Sequence, residues 1–303
     1  MTKKRGFAVL LLALVVLLCW HFLVKSYQHK IQFTTKDSPG LVYSNLLSWE
    51  FVKGLPDSSQ VAIISNEPFK RVEQQVTLKD SSFTYVWEFE ATKDSLTKVT
   101  AYVSDNKNGF IQNIIVPFKN NDFAKRNISV IETLGKEWVA YRDKFRIGPV
   151  QEDSLAAKFS AYVTVESEVT AKAGSMMRNI ADVMGFINAN SLELDGNPFL
   201  DVTEWDPLNQ RIVYDFCFPI KRTDSLPASD LVKYKESKAR KGIATRFNGN
   251  YSIADKAWYT LIDHANKNDL NVDLLPTEVY LDDPHSGGNA LQWESIIFMP
   301  IKN

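Results

Sequence analysis

Residues 198–207 read P-F-L-D-V-T-E-W-D-P, and residues 213–220 read V-Y-D-F-C-F-P-I. A related pattern returns as P-T-E-V-Y-L-D-D-P at 276–284 and W-E-S-I-I-F-M-P-I at 293–301. Each copy follows an amphipathic helical stretch, and each of these helices follows a β-like run. A strand–helix–strand–strand unit that occurs twice predicts one pseudo-symmetric domain. The cleft between two such halves is a common place for small molecules to bind.

The two repeats occupy about residues 157–220 and 239–303, within one domain predicted at 150–303. In the first repeat, alternating apolar residues predict a strand at 159–168, and a helical pattern begins at Met176. A polar linker joins the halves.

The region before this domain, residues 31–148, predicts a second α+β domain. Ser38 and Pro39 begin a short helical stretch, and strict alternation around Trp87 indicates a half-buried strand. Residues 110–118 are predicted to form a further strand, and a long amphipathic helix follows. This layout resembles the START/SRPBCC family, which implies a helix-grip fold around an apolar cavity. A plain α+β spacer domain is the alternative interpretation.

The N-terminus predicts a membrane helix. Residues 6–24 are almost entirely apolar, and Lys3, Lys4 and Arg5 precede them. We therefore expect residues 1–30 to be an uncleaved single-pass anchor with a cytoplasmic N-terminus and extracytoplasmic, periplasmic domains. A cleaved signal peptide is the alternative, although no A-x-A-like site follows.

Composition excludes several classes of function. The formal charge is −1 and the pI is near 6.5, which gives no support to a nucleic-acid partner. The two cysteines and four histidines have no metal-ligand spacing, so we predict no metal, disulfide or cofactor. No nucleophile elbow or phosphate loop occurs either.

An ordered series of motifs gives the second domain a family resemblance. F-N-G-N-Y at 247–251, A-W at 257–258, E-V-Y-L-D-D-P at 278–284 and F-M-P-I at 298–301 resemble the GyrI-like domain. This domain is also the effector-binding domain of bacterial AraC-type regulators. The resemblance implies two strand–helix–strand–strand units that share an antiparallel sheet. It also implies a pocket at their junction for flat, apolar, often cationic compounds, and some relatives are said to hydrolyse cyclopropane-containing toxins.

The family usually has a carboxylate four residues before the proline of the terminal strand. Here that position is Ile296, and the nearest acid is Glu294. Because strand side chains alternate, these two residues share a face. In the first repeat Asp215 stands four residues before Pro219, so two acids are predicted to face the cleft.

The predicted ligand-binding residues are these two carboxylates and four aromatic side chains that suit cation–π contacts. They are Glu294, Asp215, Tyr251, Trp258, Tyr280 and Trp293.

Three hypotheses follow. The leading one is a non-enzymatic, membrane-anchored protein that binds a small apolar or cationic compound. The second is a hydrolase of strained or activated small molecules, with Glu294 as general base and an aromatic side chain that orients the water. The third is a structural protein of the cell envelope that binds another protein.

Overall fold

The fold is α+β, with two large antiparallel sheets and one N-terminal apolar helix. It is seen in a computed structural model that describes residues 2–48, 59–78, 80–92, 96–284 and 287–302. The chain divides into two compact units, unit 1 (Met1–Trp138) and unit 2 (Val139–Asn303).

Unit 1 begins with helix α1 (Thr2–Cys19), which continues into a π-helical turn (Trp20–Val24). Of the helices in the described residues, this one is long and apolar enough to cross a membrane, over Arg5–Phe22. None of that stretch is buried within the chain. By length and composition it fits a membrane anchor or a signal sequence.

The sheet of unit 1 has the strand order β1-β5-β4-β3-β2, and all neighbours are antiparallel. Its strands are β1 (His29–Thr35), β2 (Gln60–Glu67), β3 (Arg71–Thr77), β4 (Ser82–Ala91) and β5 (Thr97–Asp105). Strand β4 places Phe83, Tyr85, Trp87 and Phe89 in the core, as its alternation predicts.

Two helices complete the core of unit 1. Helix α2 (Pro39–Leu47) begins with a proline, and the Ser38 hydroxyl accepts a hydrogen bond from the Leu41 amide at 3.3 Å. Helix α4 (Asp122–Arg142) buries an apolar stripe against the sheet.

The prediction of a strand at 110–118 is wrong. Helix α3 (Gly109–Ile115) occupies this segment. Carboxylate oxygen Oδ1 of Asp105 accepts hydrogen bonds from the amides of Lys107 and Asn108, at 3.0 and 2.9 Å, and this turn starts the helix. Periodicity alone does not separate a short apolar strand from a short helix.

Unit 2 is built on a sheet with the path β11-β8-β10-β9-β13-β14-β12-β6, and β7 also pairs with β12. Its strands are β6 (Phe145–Ile147), β7 (Gln151–Leu155), β8 (Lys158–Glu168), β9 (Phe199–Asp206), β10 (Arg211–Pro219), β11 (Lys233–Ser237), β12 (Arg240–Gly249), β13 (Thr277–Tyr280) and β14 (Glu294–Pro300). The order β8-β10-β9 is followed by β13-β14-β12, so the second triplet mirrors the first. Strands β9 and β13 join them as an antiparallel pair.

Two helices cover one face of this sheet. Helix α5 (Lys172–Ala189) follows β8 and packs on it, and helix α6 (Lys256–Lys267) packs on β12 and β14. The Trp258 ring of α6 contacts the Trp205 ring of β9, with centroids 5.1 Å apart. We call this the helix face and the opposite side the far face.

Candidate functional site

Unit 2 contains a cavity of about 580 Å³ on the helix face. Its walls come from α5, β10, the turn after β12, the end of β13 and the loop before β14. The lining residues are Ala173, Met176, Met177, Ile180, Met184, Leu194, Gly196, Asn197, Pro198, Phe216, Phe218, Asn250, Tyr251, Ser252, Tyr280, Leu281, Asp282, Asp283, Pro284 and Trp293.

One wall is flexible and apolar. Met176, Ile180 and Met184 lie four residues apart on α5, so a single stripe of the helix faces the cavity. Phe216 and Phe218 alternate along β10 and supply buried rings. Because methionine side chains adapt their shape, this wall suits apolar guests of varied outline.

A second part of the cavity lining is aromatic. The ring centroid of Tyr251 lies 4.8 Å from that of Tyr280 and 6.2 Å from that of Trp293. The Tyr251 hydroxyl donates to the backbone oxygen of Glu294 at 2.7 Å and accepts from the Asp282 amide at 3.2 Å. Burial raises the pKa of Tyr251 to about 12, so this hydroxyl stays protonated at neutral pH.

Behind the cavity wall lies a buried ion pair. Lys172 Nζ lies 2.6 and 2.7 Å from the two carboxylate oxygens of Glu278, and both side chains are 0% exposed. The Tyr280 hydroxyl donates to Glu278 Oε2 at 2.7 Å. Burial, and then the neighbouring Glu278 charge, raise the pKa of Tyr280 well above its ordinary value. Tyr280 lines the cavity, whereas the ion pair does not.

The ammonium of Lys172 also lies over an aromatic ring. It lies 5.3 Å from the centre of the Trp258 ring, which is itself fully buried. The Glu278 carboxylate and the Trp258 indole thus both contact the charge.

The rim of the cavity is acidic. Asp282 and Asp283 are exposed lining residues. Asp282 Oδ2 also accepts a hydrogen bond from the Glu294 amide at 2.7 Å, which fixes this loop to the start of β14. The entrance therefore carries two adjacent carboxylates.

Three of the six residues predicted for the site meet at the cavity: Tyr251, Tyr280 and Trp293. Trp258 is fully buried and is not among the lining residues of the cavity.

The two predicted carboxylates lie on the far face. In the β13–β14 register Tyr280 pairs with Ser295 and Val279 pairs with Ile296, so Glu294 projects away from the Tyr280 side. Its carboxylate is paired with Arg246.

Asp215 is on the far face as well. It accepts hydrogen bonds from Thr164 and Lys235, each at 2.7 Å. Neither this residue nor Glu294 lines the cavity.

Sequence reasoning missed the Lys172–Glu278 pair and the acidic rim. A signal for Glu278 was present in the T-E-V-Y motif, because it stands two residues before Tyr280 and therefore shares its face. The partner on α5 had no comparable signal, since only the packing of α5 against β13 brings Lys172 to it.

The far face carries a polar network around Asp201. This residue accepts from Arg240 at 2.8 Å, Thr277 at 2.8 Å and Lys235 at 3.2 Å. Burial opposes ionisation of Asp201, but the charges of Arg240 and Lys235 outweigh it and lower its pKa. Across the described residues, no group of three or more His, Cys, Asp or Glu side chains is placed to hold a metal.

No protein-family model matches the chain. No curated protein matches it either. Solved structures do align with about half of it. The EcmrR C-terminal domain aligns at 16% identity and a TM-score of 0.43, covering 51% of this chain and 98% of that one.

Two further structures align over a similar length. SAV2435 bound to tetraphenylphosphonium has 14% identity and a TM-score of 0.36, over 51% of this chain and 94% of that one. A hydrolase from Listeria innocua has 12% identity and a TM-score of 0.34, over 55% of this chain and 98% of that one. These TM-scores are below 0.5, so the likenesses assign neither family nor function. No comparison supports the START/SRPBCC-like interpretation of residues 31–148, which stays a prediction.

Proposed function

We propose that unit 2 is a GyrI-like, non-enzymatic binding module for a small apolar, aromatic compound, and that it prefers monocations. One observation carries this proposal: a cavity of about 580 Å³ is walled by methionine and aromatic side chains. That volume lies within the usual range for small-molecule sites of roughly 300–1,000 Å³.

The preference for cations rests on the rim and the rings. Asp282 and Asp283 stand at the entrance, and Tyr251 and Trp293 offer ring faces to a positive group. Glu278 adds little, because Lys172 already neutralises it. We therefore expect a cation to bind only about 3- to 10-fold more tightly than a neutral compound of the same shape.

The test is calorimetry with methyltriphenylphosphonium and with neutral triphenylphosphine oxide, which carry the same three phenyl rings and are of similar size. Ile180→Trp fills the cavity from α5 and is expected to weaken both ligands at least about tenfold. Glu294→Gln, on the far face, is the matched control and is expected to leave both affinities unchanged. Equal affinities for Ile180→Trp and wild type, or no binding by wild type, would refute the proposal.

We also propose that α1 is an uncleaved, single-pass anchor that leaves both units outside the cytoplasm. The basic residues before the apolar stretch favour this orientation. Intact-mass measurement of the membrane fraction tests it. A mature chain that has lost α1 would identify a signal sequence instead.

The hydrolase hypothesis gains no support from this geometry. It depended on Glu294 as general base, and that carboxylate lies on the far face in an ion pair with Arg246. A role in binding an envelope protein has no specific observation in its favour.

A further inference from the structure

A helix on a protein surface usually exposes polar side chains to water and buries its apolar ones. Helix α3 of unit 1 exposes apolar side chains instead. Phe110 is 68% exposed, Ile111 53% and Ile114 46%. Phe118, just after the helix, is 89% exposed. Phe110 and Ile114 are four residues apart on the helix, and Phe118 follows in the turn after it. We call these exposed apolar side chains, with Ile111, the apolar stripe.

The inward side of the same helix is polar. Asn113 is only 7% exposed. Gln112 donates from Nε2 to Asp105 Oδ2 at 3.2 Å and accepts from Asn121 at 2.7 Å. These hydrogen bonds fix the orientation of α3, so unit 1 holds the apolar stripe outward. A contiguous exposed apolar patch of this kind marks an interaction surface.

The patch is continuous with the end of the N-terminal helix. His21 Nε2 donates to the backbone oxygen of Asn113 at 2.9 Å, and the rings of Phe22 and Phe110 lie 5.9 Å apart. A groove of about 470 Å³ between the two helices is lined by Leu17, Leu18, Trp20, His21, Phe22, Asn113, Ile114, Pro117 and Phe118.

The length of the apolar helix sets the depth of this patch. The 18 residues of Arg5–Phe22 rise about 27 Å, close to the thickness of a bilayer's hydrocarbon core. If this helix spans a bilayer, His21 and Phe22 lie at its outer edge with α3 beside them. Exposed Lys107 and Lys119 flank the stripe and would then reach the lipid headgroups.

We propose that residues 109–118 form a second membrane element. The stripe enters the headgroup–acyl boundary beside α1, and an acyl chain fills the groove between them. Unit 1 would thereby contact the lipid surface directly, at a second point besides α1. This inference rests on the proposed anchoring of α1.

The test uses the full chain in phosphatidylcholine–phosphatidylglycerol nanodiscs. An environment-sensitive fluorophore is attached to single cysteines, in a background without Cys19 and Cys217. The lipids carry a nitroxide quencher either near the headgroup or, in a second preparation, deep in the acyl chain. Labels at Phe118→Cys and Ile111→Cys are expected to shift to the blue and to be quenched. Lys136→Cys, exposed on α4, is the control and is expected to show neither change.

Two further arms make the outcome decisive. A label at Leu12→Cys, near the middle of the α1 span, reports anchoring by itself through the nitroxide placed deep in the acyl chain. If the label at Leu12→Cys is quenched while the labels at 111 and 118 are not, the proposal for residues 109–118 is refuted but the anchoring of α1 is supported. If the label at Leu12→Cys is also unquenched, both proposals are refuted. The pair Ile114→Lys and Phe118→Lys alters only exposed side chains and is expected to abolish quenching at position 111. Unchanged quenching there would also overturn the proposal.

Discussion

Lys172 at the start of α5 and Glu278 in β13 form a buried ion pair, with Nζ 2.6 Å from Oε1 and 2.7 Å from Oε2. It joins the helix of the first repeat to a strand of the second. Taking two charges out of water costs free energy, which the mutual attraction offsets only when both partners are present. We therefore expect the pair to contribute more to the relative position of the two repeats than to the free energy of unfolding.

The first prediction concerns loss of one partner. Lys172→Met leaves the Glu278 carboxylate buried without its cation and is expected to destabilise unit 2 by about 3–5 kcal/mol. Lys172→Met combined with Glu278→Gln removes both charges and is expected to recover most of that loss. Urea unfolding followed by tryptophan fluorescence measures both variants. A double variant no more stable than the single one would contradict the role of the charge.

The second prediction separates the Tyr280 ring from its hydroxyl. Tyr280→Phe keeps the ring in the cavity wall but removes the hydrogen bond to Glu278, which Lys172 still contacts. We expect a loss of about 1–2 kcal/mol in stability, since the lost bond was to a charged group. Affinity for methyltriphenylphosphonium, the proposed test cation, should change less than about threefold, because the apolar wall is retained. Calorimetry that gave a tenfold loss would instead place the hydroxyl in direct contact with the ligand.

The third prediction is a pH dependence centred on Asp201. Its pKa is lowered in the folded state, so its contribution is present above the ordinary value of 3.8 and disappears as the pH falls through the folded value. Asp201→Asn should cost about 3 kcal/mol at neutral pH, and the gap to wild type should narrow below about pH 4. Urea midpoints measured across this range test it. Exposed Asp230→Asn is the control, and a gap independent of pH would contradict the assignment.

The sequence predicted the helices and strands whose residue periodicity fits only one type of secondary structure. Strict alternation around Trp87 gave a buried strand, and helical spacing from Met176 gave α5. The repeated motif led to Tyr251, Tyr280 and Trp293, whose rings meet at the cavity.

Features that depend on pairing between distant strands were not predictable. Glu294 lies in a strand, and its position relative to the helices depends on the β13–β14 register, which pairs Val279 with Ile296 and so puts Glu294 on the face opposite to Tyr280. A shift of the register by one residue would move every side chain of the strand to the other face of the sheet. Likewise, the outward side of α3 is set by hydrogen bonds to Asp105 and Asn121 and by the packing of Val116 against the core of unit 1.

The last prediction concerns the close approach of β12 and β14 at Gly242. A Cβ atom there would lie 2.3 Å from the Met299 backbone oxygen and 2.6 Å from the Phe298 ring. Backbone cannot move aside cheaply within a paired sheet, so Gly242→Ala is expected to destabilise unit 2 by more than about 2 kcal/mol. Gly185→Ala, on α5 with nothing within 4 Å, is the matched control. It should stabilise the same unit by about 0.5–1 kcal/mol, because alanine favours a helix. Equal unfolding midpoints for the two variants would show that the strands tolerate the added methyl group.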